Sequence, residues 1–366
     1  MPDEWKLLKY ICVLYLLLFV LSHKILSHRE YRRLNFFLYS FVLIVLLSGI
    51  LGDIKYGHYP WHVNVTSSFL LATQVLALFG YVEYVISRNL QRVFVKQLLT
   101  IICVCIIIAD IKILFNLNSI IDSTSVNYIV GNKFDLCYSH IVFCALLLAY
   151  RRIPFIGIIV ILSFCAVLSK LIYCTTGFIG ALFYLFLILF ENLFKKLLYK
   201  RLVLYTCVLL SVIFALLIGI IVNMEWIDRI LYMLGESSTM NGRTIIYTQL
   251  AEIINGDPYF GYGNGNHQNY VEYYTEIGNA QNGILADIIN WGVVGTFIFL
   301  MIPWGILGKS HYNRVNYPLL CLLYTFVILA TVEVTMGTWF LSALSLFLLA
   351  SYNSKNVISA FDKPKL

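Results

Sequence analysis

Charge is what this sequence has least of. Asp, Glu, Lys and Arg make up only 12% of its 366 residues, where a soluble domain carries about a quarter. An ordinary water-soluble fold is therefore excluded. Metal-binding and redox patterns are missing too: none of the nine cysteines (12, 103, 105, 137, 144, 165, 174, 207 and 321) forms a Cys-x-x-Cys pair. They read as small buried hydrophobes. No His/Cys/Asp group has metal-ligand spacing, no Ser-His-Asp order can be picked out, and the glycines lack the Gly-Lys-Ser/Thr of a phosphate loop. No metal or cofactor is expected. No small-residue cleavage site follows the first apolar run, and no internal repeat is visible. The formal charge of +7 is scattered in short clusters rather than gathered in a stripe, which argues against nucleic acid.

What is present is hydrophobe: 60% of the residues, with a mean hydropathy of +0.82. A membrane span takes about 20 apolar residues, and in hydrocarbon every backbone group must be paired within the segment. The expectation is an all-α polytopic membrane helical bundle of about eleven transmembrane helices. They fall near 7–22, 34–51, 63–87, 95–114, 136–150, 153–170, 174–190, 202–223, 283–308, 316–334 and 338–352. The chain reads as one membrane domain, 1–366, with one large loop, 224–282. Of the 26 Lys and Arg, 18 lie in alternate connections and the C-terminal tail, which makes that side cytoplasmic. The N-terminus then lies outside, against the trend of Lys6 and Lys9, and the C-terminus inside.

The loop 224–282 is the exception to short external turns. It carries seven acids and two bases, Arg229 and Arg243, and a long structured loop in a compact fold is commonly functional. Asn241 is placed to cap a first helix, with Arg243, Tyr247, Leu250 and Ile254 on one stripe and Gly256 and Pro258 ending it. That stripe suggests a helix lying at the membrane surface. A second helix is expected from His267 to Glu276, with Tyr270, Tyr273 and Tyr274 as an aromatic face suited to a lipid interface. Between them, Gly261, Gly263 and Gly265 make a tight turn.

Several residues are suited to chemistry. Arg243, in an acidic loop, either grips a phosphate with its forked donors or pairs with Glu236 or Glu252 at the surface. Lys170, at the outer end of the sixth span, either meets a phosphate or snorkels to the headgroups. Asp287 lies four residues inside the ninth span, where a carboxylate is costly unless paired or hydrated. Its alternatives are a functional acid and a helix–helix hydrogen bond. Glu333 has a weaker claim of the same kind. Glu276 and His267 are further proton acceptors by type, and Gln281 and Asn282 lead into the span.

In order, the chain reads Asn-Gly-Arg, a short helix, Pro-Tyr-Phe-Gly-Tyr-Gly, Ala-Gln-Asn-Gly-Ile-Leu-Ala-Asp and Trp-Gly-Val-Val-Gly. This resembles the Wzy-type polysaccharide polymerases of bacterial capsule and O-antigen pathways, relatives of the O-antigen ligases. Gly131-Asn132-Lys133-Phe134 before Tyr138-Ser139-His140, and Thr175-Thr176-Gly177-Phe178-Ile179-Gly180, are similar to further segments of that family. The likeness runs from about residue 130 to 300. It implies a glycosyltransferase of the cytoplasmic (inner) membrane, with its active site facing the outside or periplasm. Such an enzyme moves a glycan from undecaprenyl diphosphate to the acceptor hydroxyl of another lipid-linked repeat unit. It also implies the lipid-linked oligosaccharide and the bilayer as partners, with a chain-length regulator and a flippase alongside.

On that resemblance Arg243 stabilises the leaving diphosphate, helped by Lys170 or Lys133, and Asp287 or Glu276 takes the hydroxyl proton; positioning without a base is the other option. Tyr247, Gly261, Gly263, Asn266, His267, Gln281 and Asn282 join Lys133 and Lys170 on the substrate side. The chain departs from the ligases in one place: Gln281 stands where they have a His before the Asn, so a His-centred mechanism does not carry over. The rival readings are a ligase-type transferase, a lipid-linked oligosaccharide flippase, and a non-catalytic assembly component.

Overall fold

The computed structural model describes residues 3–22, 31–115, 130–150, 154–221, 243–278 and 280–351. Within them the fold is helical: α1 (Asp3–Ser22), α2 (Arg32–Tyr56), α3 (Val65–Ser87), α4 (Gln91–Phe115), α5 (Lys133–Tyr150), α6 (Phe155–Leu171), α7 (Thr175–Leu189) and α8 (Arg201–Ile221). They are followed by α9 (Arg243–Gly256), α10 (Asn266–Thr275), α11 (Gly283–Leu307), α12 (Tyr317–Leu329) and α13 (Thr338–Ser351). Five of these, α2, α3, α4, α5 and α11, are long and apolar enough to cross a membrane. The apolar helices α6, α7, α12 and α13, the 201–217 part of α8 and the 10–22 part of α1 are shorter. The count of eleven crossings thus stays an expectation beyond these five.

Unbroken apolar sequence makes these segments helices, and small residues decide how closely they pack. Gly80 of α3 faces Val20 of α1, and Gly49 of α2 faces Ser68 of α3, at distances where an added Cβ would collide. The core of the bundle is built around α5, α12 and α13, whose residues are buried on nearly every side. By contrast α4 leaves Ile101, Val104, Ile107, Ile108 and Ile111 exposed, the pattern of a helix facing hydrocarbon.

A second, smaller core lies at one end. Ile246, Leu250 and Ile253 of α9 pack with Tyr262, Tyr270, Val271, Leu285 and Ile289. The surface-lying helix expected from the sequence is corrected here. Its buried stripe is Ile246–Leu250–Ile253, flanked by Tyr247 and Ile254, and it faces protein. The second expected helix appears one residue early, as α10. Tyr270 of its aromatic face is buried, while Tyr273 stacks on Trp61 with ring centroids 5.1 Å apart.

The expected continuous ninth span is also corrected. Gly292 interrupts α11 with φ 68° and ψ −178°. The break leaves helix carbonyls and N–H groups without helical partners, and the segment 258–263 supplies them. Tyr262 and Gly263 donate to the carbonyls of Ile289 and Asn290 at 2.8 and 2.9 Å, and Val293 donates to Pro258 O at 2.9 Å. Within hydrocarbon, irregular backbone is tolerated only where protein covers it.

Candidate functional site

The approach of segment 258–263 to α11 is backbone against backbone. A Cβ at Gly261 would lie 2.5 Å from Gly292 N, and one at Gly292 would lie 2.1 Å from Tyr259 O. Gly261, Gly263 and Gly265 all have positive φ. These glycines let the loop wedge between α2 and α11, where Ser48 Oγ donates to Asn290 O at 2.7 Å. Lys55 of α2 secures the loop from the other side through Asp257, with Nζ 2.6 Å from a carboxylate that is almost fully buried.

That wedge fixes α10 against the interrupted span. The helix starts at Gly265, which has no side chain to cap it. Its early N–H groups need acceptors, and Asn290 of α11 provides one: His267 N donates to Asn290 Oδ1 at 3.0 Å. Asn290 Nδ2 lies 3.2 Å from His267 Nδ1. Asp287 precedes Asn290 by three residues, which puts both on one face of α11.

This face, α10 and α3 enclose a cavity of ≈ 320 Å³ lined by Ser67, Gln74, Asn264, His267, Asp287 and Asn290, at the small end of the roughly 300–1,000 Å³ typical of ligand pockets. Tyr10 of α1 and Thr338 of α13 add to the wall. Asp287 is buried, and its Oδ2 has no hydrogen-bond partner among the described residues. A buried carboxylate oxygen without a partner is expensive and is a mark of a working site. Asn264 is held by Ser67, donating to its carbonyl at 3.2 Å and its hydroxyl at 2.9 Å. Burial pushes the His267 imidazole down to about 4, against the pull of its hydrogen bond to Asn290.

Of the residues singled out from the sequence, Asp287 and His267 meet in this cavity, and Gly261 and Gly263 build the wedge beside it. Asn266 is fully buried and bridges Val63 N, Val63 O and Tyr262 O, so its amide is engaged by backbone. Asn282 caps α11 by accepting from Ile284 N and Leu285 N, and its Nδ2 contacts Ser211 and Thr331. Gln281 has positive φ, and its carbonyl accepts from Tyr247 Oη at 3.0 Å. Glu276 ends α10 in the left-handed conformation and is exposed, outside the cavity wall.

Lys133 donates to Tyr173 O at 3.0 Å, and Lys170 sits 5.0 Å from the Phe178 ring. Lys133 opens α5 and reaches the α6–α7 turn, Lys170 lies in the last turn of α6, and neither lines the cavity. Arg243 opens α9; its side chain, like the capping Asn241, lies outside the described residues. Among the described residues no cluster of His, Cys, Asp and Glu could hold a metal.

Gln74, Asn264 and Asn290 did not stand out in the sequence. Asn290 alone left a signal there, as an amide one helical turn past Asp287 in an apolar run. Trp339, which donates to Asp135 Oδ1 at 2.8 Å, and the Asp110–His140 pair at 3.2 Å join other helices outside this site.

A family model described as O-antigen ligase (Wzy_C) matches residues 171–300. A domain of that kind is present there, and it supports a glycan-processing role of the O-antigen ligase and polymerase type. The matched segment contains the wedge, α10 and the Asp287–Asn290 face; the α3 wall of the cavity lies outside it. No curated protein and no solved structure matches the chain.

Proposed function

We propose that this protein transfers a glycan from a polyprenyl diphosphate carrier to a sugar hydroxyl, extending a lipid-linked polysaccharide at the outer face of the cytoplasmic membrane. The observation that carries the reading is the cavity with the unpartnered Asp287 carboxylate, inside a segment that matches the O-antigen ligase model. The acceptor sugar sits in this cavity. Its hydroxyl oxygen attacks the anomeric carbon of the donor as the bond from that carbon to the phosphate oxygen breaks. The diphosphate leaves with its negative charge on the lipid carrier, and the hydroxyl proton passes to Asp287. Arg243 is assigned to the departing diphosphate, since a cation at headgroup level stabilises charge as it develops.

The interrupted α11 deserves comparison with transporters, whose broken helices point freed backbone groups at a substrate path. Here those groups are closed off by the chain's own 258–263 segment, which favours surface chemistry over passage. The description of the matching family as a ligase supports a second reading with the same donor chemistry and a different, finished-glycan acceptor.

The deciding experiment gives purified enzyme lipid-linked repeat units in detergent, where there is no bilayer to cross. Chain elongation is expected, and its absence while a separate acceptor becomes glycosylated would favour the ligase. Asp287→Asn should lower elongation at least 100-fold, in the range of a lost general base; a near-normal rate would remove the base. In cells Arg243→Ala should reduce the glycan ladder to single repeat units while the protein stays in the membrane. Long chains from that variant would overturn its role.

A further inference from the structure

Asn290 touches His267 at two points, and the first contact dictates the second. A backbone N–H can only donate, so the amide atom 3.0 Å from His267 N is necessarily the oxygen. The other arm of the amide is then the NH2, which also can only donate. It lies 3.2 Å from His267 Nδ1, so Nδ1 is the acceptor and the neutral ring carries its proton on Nε2. His267 Nε2 has no hydrogen-bond partner among the described residues.

We infer that Asn290 is a positioning residue that locks His267 as the Nε2–H tautomer, making the ring a hydrogen-bond donor to the acceptor sugar in the Asp287 cavity. The inference rests on the reading of that cavity as the sugar site. A hydroxyl about to react needs a donor on its oxygen to fix its direction and an acceptor for its proton. His267 provides the first and Asp287 the second. His267 itself is not the base, because its Nδ1 lone pair is held by Asn290 and its Nε2 already bears hydrogen. One amide thus serves two purposes: it caps α10 and sets the chemical character of the ring that α10 carries.

Two measurements test this on the full chain in detergent. In the first, 15N-labelled histidine is observed by long-range proton–nitrogen NMR, and the His267 signal is identified by its loss in His267→Gln. The wild type should show the Nε2–H pattern at pH 7; an Nδ1–H pattern would overturn the lock without any variant having to fold. In Asn290→Asp the carboxylate accepts instead of donating, so the proton should move to Nδ1, and an unchanged tautomer would also overturn it.

The second measurement is elongation of lipid-linked repeats. Gln can place an amide N–H near the Nε2 position, so His267→Gln should stay within about threefold of wild type, whereas His267→Leu should lose roughly tenfold or more. Equal losses in both would overturn the donor role. No transfer by the wild type would count against glycan transfer alone, since the NMR result decides the tautomer separately.

Discussion

At the scale of single residues, His267 ties the site to acidity. Its ring titrates at about 4 in the folded chain, while an unfolded histidine titrates near 6.5. Between those values the unfolded chain binds a proton that the folded chain does not, so stability falls as pH drops from about 6.5 towards 4 and is fully present above that window. Wild type should therefore lose more melting temperature than His267→Gln between pH 7 and pH 5 in detergent. Parallel losses would remove the assigned shift. Asp287 could be picked out from the sequence because a carboxylate in an apolar run announces its own cost. The asparagines could not be sorted that way. Asn266 and Asn282 looked like ligands and proved to be held by backbone, whereas Asn290 lines the cavity. An amide is equally suited to both, and only tertiary approach decides between them.

At the scale of elements, the helices α2, α3 and α11 were readable from length and hydropathy, and α9 and α10 from their turn residues. The interruption of α11 was not. Trp291-Gly292-Val293 continues the apolar pattern, and glycine is common in membrane helices. The break requires a partner from the 258–263 segment, which no local pattern encodes. Gly292→Ala should be destabilising by at least about 1–3 kcal/mol, the cost of one strained backbone conformation, because its φ is 68° and its Cβ would strike Tyr259 O. Gly337→Ala is the contrast: nothing lies within 4 Å of its Cβ, and its effect should stay within about 0.5 kcal/mol. Thermal unfolding of the two variants in one detergent checks both. Equal melting temperatures would mean that the break is not held by this contact.

At the scale of the whole molecule, sidedness decides whether the cavity can meet an outer-leaflet substrate. The Lys55–Asp257 pair and the Trp61–Tyr273 stack gather with the small second core, while Glu191, Lys195, Tyr312 and Arg314 lie together elsewhere, around a different pocket. On the orientation expected from the basic residues, the first group faces the outside. Tyr273 is 62% exposed, so Tyr273→Cys should react with a membrane-impermeant maleimide on intact cells, above the background of the native cysteines. Arg314→Cys should react only after permeabilisation. The opposite pattern would invert the molecule and remove access to an outer substrate.

The wedge at Gly292 also bears on how the chain is made. Four backbone groups of α11 find partners in residues 258–263, one of them, Asn290 O, shared with Ser48 of α2, and exposing such a group unpaired to hydrocarbon costs several kcal/mol. The wedge leaves the ribosome before α11 does, and its other contact surface on α2 was synthesised far earlier. Were α11 threaded into the bilayer by itself, those groups would face hydrocarbon before the wedge had met them. Insertion of α11 together with the wedge, rather than ahead of it, would spare that cost.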